Sequence, residues 1–129
     1  MARLDDSARS KIEAPNLAFL ATVMEDGSPQ VSPIWIAMED GSITFNTALG
    51  RLKERNMRRD PRVAISVADR DDIYDRVTIR GRVLEMIDGD VAERQIDDLA
   101  RKYLGTDYPW RKPGENRLKV VVEPVVVAR

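Results

Sequence analysis

The tetrapeptide Glu-Asp-Gly-Ser occurs twice, at 25–28 and 39–42, and each copy lies between short runs rich in apolar residues. Asp-Gly between such runs is a strong hairpin signal, because both residues tolerate the positive φ that tight turns require. The chain is thus directed early into closely spaced antiparallel strands. "NLAFLATVM" (16–24) is apolar at both sets of alternate positions, which predicts a strand buried on both faces. "QVSPIWIAM" (30–38) predicts the return strand, and Pro29 and Pro33, lacking amide donors, place it at an edge or a bulge. "SITFNT" (42–47) predicts a third strand, and the three together predict a meander.

Further along, "RVAISVAD" (62–69), "RVTIRGRVLEMI" (76–87) and "RLKVVVEPVVV" (117–127) read as strands. In the second of these Val77, Ile79, Val83 and Ile87 share one face, Arg80 and Arg82 the other. Gly81 in mid-strand predicts a bend or a close backbone approach. Helices are predicted over 5–14, with Asp5 or Asp6 as cap, over 51–60, stopped before Pro61, and over 89–104, with Asp88 as cap and Gly105 past the end. The expectation is one domain over 1–129: mainly β with short helices, a six-stranded antiparallel barrel.

Composition narrows the chemistry. The chain of 129 residues has no Cys and no His, which removes disulfides, thiolate nucleophiles, histidine bases and the usual zinc sites. Difficult chemistry would fall to a bound cofactor. The net charge is −1, against the strongly basic balance of nucleic-acid domains, so no nucleic-acid partner is expected. The amino-terminal stretch lacks the apolar core of a signal peptide, and no run approaches the roughly 20 residues that cross a bilayer. The expected address is cytoplasmic.

Against that near-neutral background, 47–63 ("TALGRLKERNMRRDPRV") holds six basic side chains, Arg51, Lys53, Arg55, Arg58, Arg59 and Arg62. On a helical wheel Arg51, Arg55, Arg58 and Arg62 fall within about 40° of one line, which reads as a solvated face with Glu54 as counter-charge. Lys53 projects about 200° from Arg51. Cations at a helix start oppose the positive end of its dipole unless an anion sits there. Open amides at that start, preceded by Asn46, Thr47 and Gly50, make a phosphate cradle that Arg51 can grip bidentately and Lys53 can reinforce.

"DGSPQVSPIWI", "ITFNTALGRLKERNMRRDPRVAISV" and "VTIRGRVLEM" together resemble the pyridoxamine 5′-phosphate oxidase-like superfamily of flavin-binding split β-barrels. The closing "KYLGTDYPWRKPGENRLKVVVEPVVV" is similar to the branch that uses the deazaflavin coenzyme F420. The resemblance implies a homodimer with two cofactor sites at its interface. It assigns the cofactor phosphate to Arg51 and Lys53, with Asn46, Thr47 and Asn56 beside them. It lays the ring along Gln30, Val31, Ser32, Pro33 and Trp35, and has the partner subunit contribute from around Ile73, Tyr74 and Arg76. No side chain is assigned a catalytic role. The substrate-phosphate and carboxy-terminal ring contacts of true pyridoxamine phosphate oxidases have no clear counterpart.

The implied function is an F420-dependent oxidoreductase that moves a hydride to an unsaturated or quinone-like small molecule. Its alternatives are an FMN-binding oxidoreductase of the same fold and a non-catalytic flavin or tetrapyrrole carrier. Trp35 is open to reading as core or as ring contact, and Trp110 as a cap on the ring or an anchor for the tail.

Overall fold

Both Glu-Asp-Gly-Ser turns close hairpins. The first joins β1 (Ala18–Val23) to β2 (Pro29–Ile34), with Val23 opposite Pro29; the second joins β3 (Ala37–Glu39) to β4 (Ser42–Ala48), with Glu39 opposite Ser42. The computed structural model describes residues 2–129. Its further elements are α1 (Asp6–Glu13), ahead of β1, then α2 (Leu52–Arg59), β5 (Arg62–Ala68), β6 (Arg76–Ile87), α3 (Asp90–Leu104) and β7 (Arg117–Ala128). The fold class matches the expectation, with seven strands rather than six in one antiparallel sheet of order β2-β1-β5-β6-β7-β4-β3.

The extra strand comes from 30–38, which breaks at Trp35–Ile36. β2 and β3 do not continue one another but form opposite edges of the sheet, so the predicted meander is two separate hairpins. That short link dictates the shape. Three peptide units reach at most about 11 Å, whereas the edges of a flat seven-stranded sheet would stand roughly 29 Å apart. The sheet must therefore curl until its edges nearly meet, leaving a barrel split at the seam that Trp35 and Ile36 cross. Pro29 and Pro33 sit on the edge strand β2, as their missing donors require.

The barrel interior is filled by strand residues, among them Leu20, Phe45, Ile65, Ile79 and Val120, and by Ile36 of the crossover, all essentially inaccessible to solvent. β1 is buried on one face only: Ala18, Leu20 and Thr22 point inward, but Phe19 is 47% exposed, against the two-sided burial its composition predicts. Gly81 meets the expectation of a close backbone approach. The β6–β7 register shifts between Arg80 and Gly81, and a Cβ on Gly81 would lie 2.7 Å from the Glu123 carbonyl oxygen.

The helices pack against the sheet. Asp5 caps α1, its Oδ1 accepting from the Ala8 amide at 2.8 Å. α2 packs on β1 and β4, and α3 on β7 and β4. The cap of α3 is Gly89 at φ 77°, not Asp88, and no side-chain cap bond forms there among the described residues. α3 ends as expected at Gly105, in the left-handed conformation.

Candidate functional site

A cleft of about 260 Å³ opens where the β2–β3 crossover, the start of α2, one face of α3 and the loop before β7 converge. Of the residues expected from sequence, Pro33, Trp35, Asn46, Arg51 and Lys53 line it. Ile96 and Leu99 of α3 supply an apolar floor, and Tyr108 and Trp110 an aromatic wall.

Trp35 is half-buried between the aromatic residues around it and the cleft. Its indole stacks on Tyr103 at 5.5 Å and 10° and takes Tyr108 edge-on at 6.3 Å, while also lining the cleft. The Tyr103 hydroxyl donates to the Asn16 carbonyl at 2.7 Å and accepts from the Ile36 amide at 3.2 Å, which fixes the crossover. Trp110 packs edge-on to Tyr108 at 5.8 Å and lines the cleft while remaining largely exposed. Arg111, next to it, pairs with Glu93 and, at 2.8 Å, with Asp97, strapping the loop to α3.

The opposite end is cationic. Arg51 precedes α2 without capping it, and the first-turn amides of Leu52 and Lys53 have no backbone acceptor among the described residues. Gly50, expected in the same cradle, is committed elsewhere: its amide donates to Glu54 Oε1 at 2.8 Å. Glu54 is buried, and the guanidinium of Arg58 binds its other oxygen. Burial pushes the Glu54 acid up, but the Gly50 amide and Arg58 outweigh it and hold the group below its ordinary range. Arg58 is exposed on the far side of this pair, and Arg62 lies beyond the helix, bonded to Asp60 at 2.6 Å. Both stand off the cleft, as a solvated face requires.

The Lys53 side chain forms no hydrogen bond or ion pair among the described residues. Burial, then Arg51 and Arg117, lowers its affinity for a proton. Arg117, at the head of β7, is an electrostatic neighbour of Lys53 that the sequence did not single out. It is buried, yet it donates to Asn46 Oδ1 at 3.4 Å and to the Tyr108 hydroxyl at 2.7 Å, and its Nε lies 3.0 Å from Glu115. The Asn46 amide donates to Gln95 Oε1 and the Ala92 carbonyl at 2.9 and 3.0 Å, so its orientation is fixed by α3. A half-buried ammonium with two cationic neighbours and no carboxylate of its own fits a bound anion, and the apolar and aromatic walls fit a planar ring. The residues present therefore suit a phosphate-bearing ring cofactor.

The remaining expected residues do not line this cleft. Thr47 alternates with Asn46 along β4 and so faces the barrel interior, where its Oγ1 is buried with no hydrogen-bond partner among the described residues. Asn56 is wholly buried and fastened to β1, donating to Thr22 Oγ1 at 3.1 Å, while Arg59 donates to its Oδ1 at 2.9 Å. Gln30, Val31 and Ser32 lie on edge strand β2, Val31 63% exposed. Ile73 and Tyr74 project from the loop before β6, Tyr74 82% exposed, and Arg76 begins that strand.

The profile of the pyridoxamine 5′-phosphate oxidase family matches residues 4–127. A solved structure described as an F420 reductase superposes with a TM-score of 0.85 at 30% identity, covering 97% of this chain and 98% of that one. A conserved hypothetical protein of Mycobacterium tuberculosis has the same fold, with a TM-score of 0.76 at 24% identity over 98% of this chain and 84% of its own. A protein of unknown function from Agrobacterium tumefaciens superposes at 0.72 with 25% identity, over 95% of this chain and 53% of its own. The chain belongs to the pyridoxamine 5′-phosphate oxidase family.

Proposed function

We propose that the cleft binds coenzyme F420 and that the protein is an F420-dependent oxidoreductase acting on an unsaturated or quinone-like small molecule. Lys53 carries this reading: a cation without a counter-charge at one end of a cleft whose other walls are apolar and aromatic. In this reading Arg51 and Lys53 hold the phosphate, and Pro33 and Trp35 support the ring. The likeness to the F420 reductase favours the deazaflavin. The bound cofactor supplies the hydride; the chain's own residues orient the ring, balance its negative charge and keep water from one face.

The cleft is smaller than the roughly 300–1,000 Å³ that encloses most ligands of this size. A second copy of the chain completes it in our reading, bringing Ile73, Tyr74 and Arg76 over the open side and placing Gln30, Val31 and Ser32 between the subunits. Light scattering is then expected to give a dimer. A monomer that binds cofactor at full strength would refute this part.

The deciding measurement is a fluorescence titration with the deazaflavin beside a titration with FMN. The deazaflavin is expected to give the lower dissociation constant. FMN binding that is equal or tighter would instead support the second reading, an FMN-binding oxidoreductase, which the family match favours. Among the described residues no helix is long and apolar enough to cross a membrane, and a cytoplasmic enzyme goes with either reading.

A further inference from the structure

The cationic end of the cleft already holds a carboxylate. Glu115 Oε2 lies 3.6 Å from an Arg51 nitrogen, while Oε1 lies 3.0 Å from Arg117 Nε. The two contacts differ in length and burial. Arg117 is buried and fixed by Asn46 and Tyr108, and its Nε meets Glu115 as a close ion pair without a hydrogen bond. Arg51 is half exposed, and 3.6 Å exceeds hydrogen-bond length, so that contact is loose. Lys53, within electrostatic range of both arginines, has no carboxylate. Glu115 thus touches the site from the Arg117 side and neutralises Arg51 only partly.

We infer that Glu115 is an internal competitor for the anion site: in the free protein its carboxylate occupies Arg51, and an incoming phosphate group binds by displacing it there. The inference rests on reading this cleft as phosphate-binding and adds a means of selection. An anion replaces one weak ion pair with charge-assisted bonds to Arg51 and Lys53, whereas an uncharged ring of the same shape leaves Glu115 in place and gains nothing at that end. Glu115 also ends the loop that carries Tyr108 and Trp110, so its release is felt at the aromatic wall.

Inorganic phosphate tests this without any cofactor, read from the backbone amide NMR shifts of Leu52 and Lys53. Removing a like charge several ångströms from the bound anion should tighten phosphate binding about three- to tenfold in Glu115→Gln. Glu115→Ala should change in the same direction, and Lys53→Ala should weaken binding. Riboflavin, which lacks the phosphate, should bind the wild type and Glu115→Gln alike. Equal or weaker phosphate binding in both Glu115 variants would overturn the proposal, because the carboxylate would then be organising the guanidinium groups. Phosphate that moves those amides in none of the proteins would overturn it too. A failed deazaflavin titration alongside tighter phosphate binding in Glu115→Gln would sink the cofactor assignment and leave this inference standing.

Discussion

The guanidinium of Arg117 lies 4.8 Å from the centre of the Tyr108 ring and donates to that residue's hydroxyl at 2.7 Å. One buried side chain therefore ties the cationic end of the cleft to its aromatic wall. Tyr108 in turn meets Trp35 and Trp110 edge-on, so displacement of Arg117 would disturb both ends together.

Arg117→Met should accordingly lower stability in urea unfolding by about 2–3 kcal/mol. That is below the range for a fully buried pair, because Glu115 keeps Arg51 and some solvent. Arg117→Lys should recover only part of the loss, since an ammonium cannot stack on Tyr108 and bond its hydroxyl in the same way. A Met variant as stable as the wild type would mean that the contacts of Arg117 contribute little to the fold.

Lys53→Ala should weaken deazaflavin binding about ten- to a hundredfold, the loss expected for a charge-assisted hydrogen bond. Melting of the cofactor-free variant should be unchanged or slightly higher, because a cation crowded by Arg51 and Arg117 is removed. Arg58→Ala should barely alter affinity; its partner Glu54 keeps the bond to Gly50 without it. A larger affinity loss for Arg58→Ala than for Lys53→Ala would reverse the assignment.

The depressed proton affinity of Lys53 also gives binding a pH dependence. An anion favours the ammonium form, so affinity should fall as pH rises, beginning below the range of an ordinary lysine. Titrations from neutral to alkaline pH, compared with Lys53→Ala, check this; parallel curves for the two proteins would contradict it.

Lys102 gives an independent pH signature. Its ammonium donates to the carbonyls of Ile12 and Ile36 at 2.6 and 2.5 Å, and burial lowers its pKa to about 8. The unfolded chain keeps this proton to higher pH. Charging Lys102 therefore opposes folding below pH 8, and that opposition fades as pH rises from about 8 towards the ordinary lysine value. Relative to Lys102→Met, the wild type should gain stability between pH 7.5 and 10 in urea unfolding. A constant difference between the two would show that Lys102 titrates normally.

Gly81→Ala should destabilise the protein by about 1–3 kcal/mol in the same assay, the range for forced overpacking. The added methyl would lie 2.7 Å from both the Glu123 carbonyl oxygen and Val122 Cγ1, and the carbonyl belongs to the paired strand, which cannot yield locally. An unchanged midpoint would show that the bulge relaxes freely.

Much of this was legible because it is local. Hairpin turns, the face of Val77 and Ile79, and the meaning of Gly81 depend on neighbours in sequence, and β6 spans the predicted 76–87. The break at Trp35 was not legible. Its surroundings, Ile34 and Ile36, continue a strand pattern, and only closure of the whole sheet forces the chain across the seam. At the site, Arg51 and Lys53 could be picked out by helix-dipole logic, which is again local. Arg117 could not, because a charged residue opening an apolar strand looks solvent-facing until Tyr108, from the preceding loop, and Asn46, distant in sequence, cover it. Its alternation with Leu118 and Lys119 was the available signal. Thr47 is the converse case: it alternates with Asn46 along β4, so its side chain turns to the barrel interior and not to the cleft.

β7 is the last strand of the sheet to be synthesised, yet it lies between β6 and β4 and pairs with both. While a ribosome is still extending the chain, the hairpin β3–β4 has no neighbour on its inner side and cannot be drawn into the barrel. Only when 117–128 have left the exit tunnel can the two halves join. Nascent chains of this protein should thus pass through an interval in which the edges of β4 and β6 are bare, the interval in which a chaperone would have something to hold.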